Sequence, residues 1–199
     1  MWFEIFLEPQ PAIKSRPKMK NTVPAIVLHT QPSVEPVTLA EVKTYLRTDG
    51  ESENSLITSM AKAAREAAEK YMRISINTQK WKISFNESTP EEVVLPYGPV
   101  NAMDSVKVFD DSETETTFDA ANYYLTAGNR SIFFKQIPSG RRVEIIYSTG
   151  ISADAAGVPV LIKQGILTHT SLMYERNSLI PEINSTAKSL YDFYRAVMI

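Results

Sequence analysis

The stretch Asn54-Ser-Leu-Ile-Thr-Ser-Met-Ala-Lys-Ala-Ala-Arg-Glu-Ala-Ala-Glu-Lys-Tyr-Met72, followed shortly by Thr78-Gln-Lys-Trp-Lys-Ile-Ser-Phe-Asn86, decides the fold, because the apolar period changes between the two. In the first, Leu56, Met60, Ala64, Ala67 and Tyr71 fall on one stripe, with Ile57, Ala61, Ala68 and Met72 beside it, which is the repeat of an amphipathic helix. The opposite face carries Lys62–Glu66, Glu66–Lys70 and Arg65–Glu69 at i,i+4, the spacing of ion pairs on a solvated surface. In the second, Trp81, Ile83 and Phe85 alternate with Lys80, Lys82, Ser84 and Asn86, the period of a strand with one buried face. A long helix that gives way to strands points to an α+β chain.

Upstream, Thr38-Leu-Ala-Glu41 is a capping box that opens a short helix to about residue 47, since the Thr38 hydroxyl and the Glu41 carboxylate can each satisfy an amide of the first turn. Asp49-Gly50 ends it. Residues 25–29 (Ala-Ile-Val-Leu-His) read as a short strand, and 1–24, with Pro9, Pro11, Pro17 and Pro24 among Lys14, Arg16, Lys18 and Lys20, as an N-terminal arm.

Downstream, strands are expected at 93–95, 105–109, 123–126, 131–134 and 142–147, separated by Pro-Tyr-Gly-Pro, the acidic 110–119 stretch, Gly128-Asn129 and Pro138-Ser-Gly140. Pro159 suits the first turn of a third helix to about residue 176 with little polar face, and Gly165 inside it marks a close helix crossing. A last helix is expected over 185–199, with Leu190, Phe193, Tyr194 and Val197 at helical spacing. The fold class is therefore α+β, about four helices with an antiparallel β-insertion between the second and third main helices. The domain reading is 1–24 arm, 25–77 with 151–199 helical, and 78–150 β-rich.

Composition narrows the chemistry. The 199 residues carry 21 basic and 23 acidic side chains, so the chain as a whole lacks the positive field of a non-specific DNA binder. Between Glu87 and Asp119 there are nine acids against Lys107 alone, which leaves the remainder net basic. With no cysteine, thiolate metal sites and cysteine nucleophiles are excluded. Two histidines, His29 and His169, cannot build a metal cluster without several carboxylates, and His169 on an apolar stripe reads as structural. There is no zinc-protease, serine-hydrolase or phosphate-loop motif. Glu91-Glu92 and Asp110-Asp111 read as solvated loop carboxylates, and Arg141-Arg142 as a charged start to a strand. No catalytic, metal or cofactor-binding residue is assigned. No apolar run reaches the roughly 18 residues of a membrane span, and the start lacks the pattern of a signal peptide.

The last helix carries a different signal. Tyr191, Phe193, Tyr194 and 197–199 spread over more than one face, so the helix either closes the core or binds a partner, and the 177–184 loop is long enough to project it.

Pro36-Val-Thr-Leu-Ala-Glu-Val-Lys43, then Tyr45-Leu-Arg47, an acidic turn (Asp49, Glu51, Glu53) and the Ala-rich helix closely resemble phage head-tail connector (adaptor) proteins, a family also present in phage-like gene transfer agents. Thr78-Gln-Lys-Trp81, Val158-Pro159 with Ile162-Lys-Gln164, Leu172-Met-Tyr-Glu-Arg-Asn177 and Ser189-Leu-Tyr-Asp-Phe-Tyr-Arg195 follow in the family's order. The resemblance covers about 25–199.

It implies a structural virion protein at the head-tail interface, without cofactor or catalysis. Such a protein forms a ring, usually of twelve subunits, beneath the portal protein and meets a tail-side connector or stopper protein. Packaged DNA passes through the lumen, and no membrane is involved. It also implies that the terminal helix meets the portal, here through Leu190, Tyr191, Phe193, Tyr194 and Arg195. Two other readings are a packaging-associated DNA-binding module using 14–20 and Arg141-Arg142, and a metal-dependent hydrolase using the 87–119 carboxylates.

Overall fold

The computed structural model describes residues 23–179 and 182–195. The expected arm, apart from Val23 and Pro24, and residues 196–199 lie outside the described residues.

Among the described residues, four α-helices and eight strands run in the order β1 (Ala25–Thr30), α1 (Leu39–Leu46), α2 (Asn54–Met72), β2 (Gln79–Ser88), β3 (Glu92–Val94), β4 (Val100–Phe109), β5 (Glu115–Thr117), β6 (Tyr123–Leu125), β7 (Ser131–Phe134), β8 (Ser139–Thr149), α3 (Val160–Glu175) and α4 (Ser185–Tyr191). The class is α+β with every strand pair antiparallel, and β2 to β8 lie between α2 and α3. The sheets have orders β1-β2-β8-β4-β5 and β3-β7-β6. One correction concerns β1. Grouped with the helices on sequence grounds, it pairs with β2, Ile26 beside Ile83 and Leu28 beside Trp81, so the larger sheet begins at residue 25.

Two apolar cores follow from the two periods. Val42, Ile57, Met60, Ala64, Ile162 and Ile166 join the helices, while Ile83, Val106, Ile132, Phe134, Val143 and Ile145 fill the space between the sheets. The capping box of α1 forms as its sequence predicts: Thr38 Oγ1 accepts from Glu41 N at 3.2 Å, and Glu41 Oε2 accepts from Thr38 N at 2.7 Å. The Thr38 amide, ahead of all other causes, holds the Glu41 carboxyl below the usual range. Lys163 reaches Glu41 at 3.2 Å and so ties α3 to the start of α1. Gly150, at φ 142°, lets the chain pass so close to β2 that a Cβ there would sit 2.7 Å from Thr78 N.

β5 sits inside the stretch expected to be an acidic loop, pairing Glu115 with Phe109. Thr-Glu-Thr-Thr has no apolar alternation, so a three-residue outer strand leaves no period to read.

Candidate functional site

The segment singled out as a docking helix is shorter and more integrated than its sequence suggests. Asn184 caps α4 by accepting from Ala187 N at 2.8 Å, and the helix stops at Tyr191, giving way to a 3-10 turn over Asp192–Tyr194. α4 packs on α3 rather than projecting from it.

Of the five residues expected to meet a partner, Tyr191 is fully buried in the chain's own helical core, and burial raises its hydroxyl pKa. Its ring fills the notch left by Gly165: a Cβ at that glycine would stand 2.3 Å from Tyr191 Cε1. The close crossing expected at Gly165 is therefore present, and the aromatic ring occupies it. Leu190 and Tyr194 are half-buried, with Tyr194 against the same core.

Phe193 is 80% exposed. Arg195 is exposed as well and lies over the Tyr71 ring, 5.0 Å from its centroid, within cation–π range. Tyr71 in turn donates to Asp192 Oδ1 at 2.6 Å, and this bond raises the Tyr71 pKa. Beside this turn an open groove of about 690 Å³ has an apolar lining that includes Ala63, Ala67, Met173 and Ile183, with Glu66, Lys70, Glu182 and Lys188 also bordering it. The displayed surface at this end is thus Phe193, Arg195 and the groove.

A second constellation escaped the sequence reading. Arg65 and Glu69, expected as a solvated pair, are 0% and 4% exposed. Arg65 Nε donates to Glu35 Oε2 at 2.7 Å, Nη1 to Glu69 Oε2 at 2.8 Å, and Nη2 to Glu66 Oε1 at 3.4 Å. The other oxygen of Glu69 accepts from Ile76 N at 2.8 Å and Gln79 Nε2 at 3.0 Å. Burial works against the Arg65 charge, but Glu69 and Glu35 beside it outweigh that and raise its pKa. Burial likewise pushes the Glu69 carboxyl upward, opposed by Arg65, the Ile76 amide and Gln79.

The correction has a physical reason. α2 is covered on two sides, by the helices and by the 31–37 linker, where Gln31 accepts from Lys62 and Glu35 from Arg65. One middle turn of α2 therefore holds the segment leaving β1 and the segment entering β2.

The acidic stretch is spent locally. Asp110 Oδ1 accepts from Ser112 N and Thr114 N, Glu113 pairs with Arg142 at 3.0 Å, Glu115 with Lys107 at 2.7 Å, and Asp104 with Lys80 at 3.1 Å. Among the described residues no group of three or more His, Asp or Glu is placed to hold a metal ion. Arg141 and Arg142 face Glu113, and Arg142 also stacks over Phe109. His29 is exposed on β1, and His169 is buried in α3.

These features are an exposed aromatic turn beside an apolar groove, and a buried ion cluster that ties α2 to the segments on either side of it. Residues 36–118 match the phage gp6-like head-tail connector protein family. Of the resemblance read over about 25–199, this match covers the part that takes in α1, α2, the Arg65–Glu69 pair and the strands to β5. No curated protein matches the chain.

Among solved structures, the chain shares its fold with a chain from the neck of an empty gene transfer agent particle, at a TM-score of 0.73 and 20% identity over 88% of this chain and 97% of that one. It also matches a chain of the virion of a native gene transfer agent particle, at a TM-score of 0.72 and 21% identity over 87% and 96%. A chain from the native particle's neck, computed with C12 symmetry, gives a TM-score of 0.63 at 20% identity over 87% and 97%. The matched family is one of head-tail connector proteins, and the three solved chains belong to the neck or virion of gene transfer agent particles.

Proposed function

We propose that the chain is a structural head-tail connector. In this reading twelve copies form a ring below the portal, joined on the other side by a tail-side protein, with DNA passing through the lumen and no chemistry performed. The observation that carries it is the connector-family match over 36–118, together with a shared fold that spans nearly the whole of each neck chain. The brace at Arg65 supports it physically: a contact repeated by rotation closes into a ring only if the angle between a subunit's two contact surfaces is fixed.

The portal-contacting set narrows to Phe193 and Arg195, with Leu190 and Tyr194 at its margin, while Tyr191 acts from the core. Deleting 186–199 removes Ala187 and Tyr191 from the helical core and confounds binding with folding, whereas Phe193→Ala and Arg195→Glu alter exposed side chains only. Portal binding by the Phe193→Ala/Arg195→Glu variant equal to that of the parent sinks the docking role. A DNA-binding reading gains nothing from Arg141 and Arg142, since both face Glu113.

A further inference from the structure

Among the described residues, the groove beside the terminal turn is apolar and open. One wall is α2, where Ala63, Ala67 and Tyr71 share a face and the two alanines leave room for another segment to come close. The facing wall is Met173, Leu179 and Ile183, and Leu179 is 58% exposed. Of the charged residues at its border two are acids, Glu66 and Glu182, and two are bases, Lys70 and Lys188. Such a groove favours an uncharged apolar occupant over a charged one.

The chain's own terminal turn leads to this place. Tyr71, in the wall, donates to Asp192 at 2.6 Å and lies 5.0 Å below the Arg195 guanidinium. Tyr194 packs on the core cluster that contains Met173 and Ile183. The backbone at Arg195 is extended, at φ −64° and ψ 123°. After it come Ala196-Val-Met-Ile199, four residues without a polar side chain. Four extended residues reach about 13 Å, and the α2 wall from Tyr71 back to Ala63 is about 12 Å long.

We propose that this groove is the seat of the chain's own Val197, Met198 and Ile199. The tether selects the occupant. A segment joined to the groove wall through so few residues acts at an effective concentration of about millimolar or above, which an untethered apolar segment has to exceed. Residues 1–22 join the chain at β1, in the sheet, and Glu4 and Glu8 interrupt their apolar start. Seated there, the tail covers Leu179, and a partner that uses the groove must first displace it. The inference stands whether or not this end of the chain meets a portal.

The chain has no cysteine, so introduced pairs report proximity without background. Full-length chain carrying Ala67→Cys and Met198→Cys is oxidised at high dilution, and the intramolecular disulfide is followed by mass spectrometry. The comparison pair is Ser55→Cys with Met198→Cys, since Ser55 is exposed and stands about 24 Å along α2 from Tyr71, beyond the tail's reach. The 67–198 disulfide is expected to form at least about tenfold faster than the 55–198 one. Adding Val197→Gly and Ile199→Gly keeps the tether but removes the apolar groups, and should slow the 67–198 disulfide at least about threefold. Ala63→Cys takes the place of Ala67→Cys if that variant does not fold. Equal rates for the two pairs, a glycine variant as fast as its parent, disulfides between chains only, or faster pairing of the groove cysteine with Phe6→Cys than with Met198→Cys overturns the proposal.

Discussion

Gly165→Ala sets a local preference against a packing constraint. In an exposed helix the change stabilises by about 1 kcal/mol, through helix propensity. Here the added Cβ would lie 2.3 Å from Tyr191 Cε1, 2.6 Å from Cζ and 2.9 Å from Oη, so the ring must retreat by more than about 1 Å to reach ordinary contact near 3.5 Å. Tyr191 is 0% exposed and Tyr71 packs on it at a centroid distance of 6.4 Å, so no solvent-side escape exists. Overpacking of this kind costs about 1–3 kcal/mol, and a rigid ring in a filled site belongs at or above the top of that range.

The net expectation is a loss of about 2 kcal/mol, or about 4–8 °C in Tm for a chain of this size. Urea and thermal melts of Gly165→Ala, Tyr191→Leu and the double variant complete a cycle. The single changes should each destabilise, and the double should be more stable than their sum by about 1 kcal/mol or more, because leucine vacates the space that alanine needs. A Gly165→Ala protein that melts at or above the parent refutes the account of the α3–α4 crossing.

The remaining predictions concern the brace, the cap and the exposed turn. Arg65→Ala should cost about 3–5 kcal/mol in urea denaturation, since it leaves Glu69 and Glu35 without their shared cation; a loss under about 1 kcal/mol would mean the cluster relaxes into water. Thr38→Ala should cost about 1 kcal/mol by loss of the α1 cap. Glu41 has a folded pKa below its unfolded one, so its contribution is present above the unfolded value of about 4.3 and fades as pH falls through the folded one. Glu41→Gln keeps the box, because glutamine also accepts from the Thr38 amide, and should flatten that part of the acid limb of stability against pH. Phe193→Ala should leave Tm unchanged and, if this turn docks on a portal as proposed, lower affinity for it.

Local chemistry was legible where one signal acted alone. The α1 capping box, the length of α2, the β7 segment and the crossing at Gly165 follow from residue types within a few positions of one another. The spacing of Arg65 and Glu69 is identical on a wet and a covered helix face; the cover comes from the 31–37 linker at Arg65 and from the segment entering β2 at Glu69, and both paths depend on long-range pairing in the sheet. The terminal segment was misread for a phase reason. A stripe through Leu190, Phe193, Tyr194 and Val197 assumes one uninterrupted helix, but the α-helix ends at Tyr191 and the tighter turn beyond it rotates Phe193 outward. Tyr191, off the extrapolated stripe, was left to fill the core.

The Arg65–Glu69 brace links the parts of the chain that build the two apolar cores. The buried apolar residues fall into two distinct clusters, one filled from the helices and one from the sheets. Apolar packing alone would leave the angle between them soft. Arg65 grips the chain leaving the sheet through Glu35, and Glu69 grips the chain re-entering it through Ile76 and Gln79, so rotation of one body against the other must break charge-assisted bonds. These bonds are directional where hydrophobic contact is not, which suits them to fixing an angle. If the chain assembles into a ring as proposed, an apolar replacement of Arg65 together with Glu69 can keep both cores folded and still fail to close it, and that failure would separate the brace's role in geometry from its role in stability.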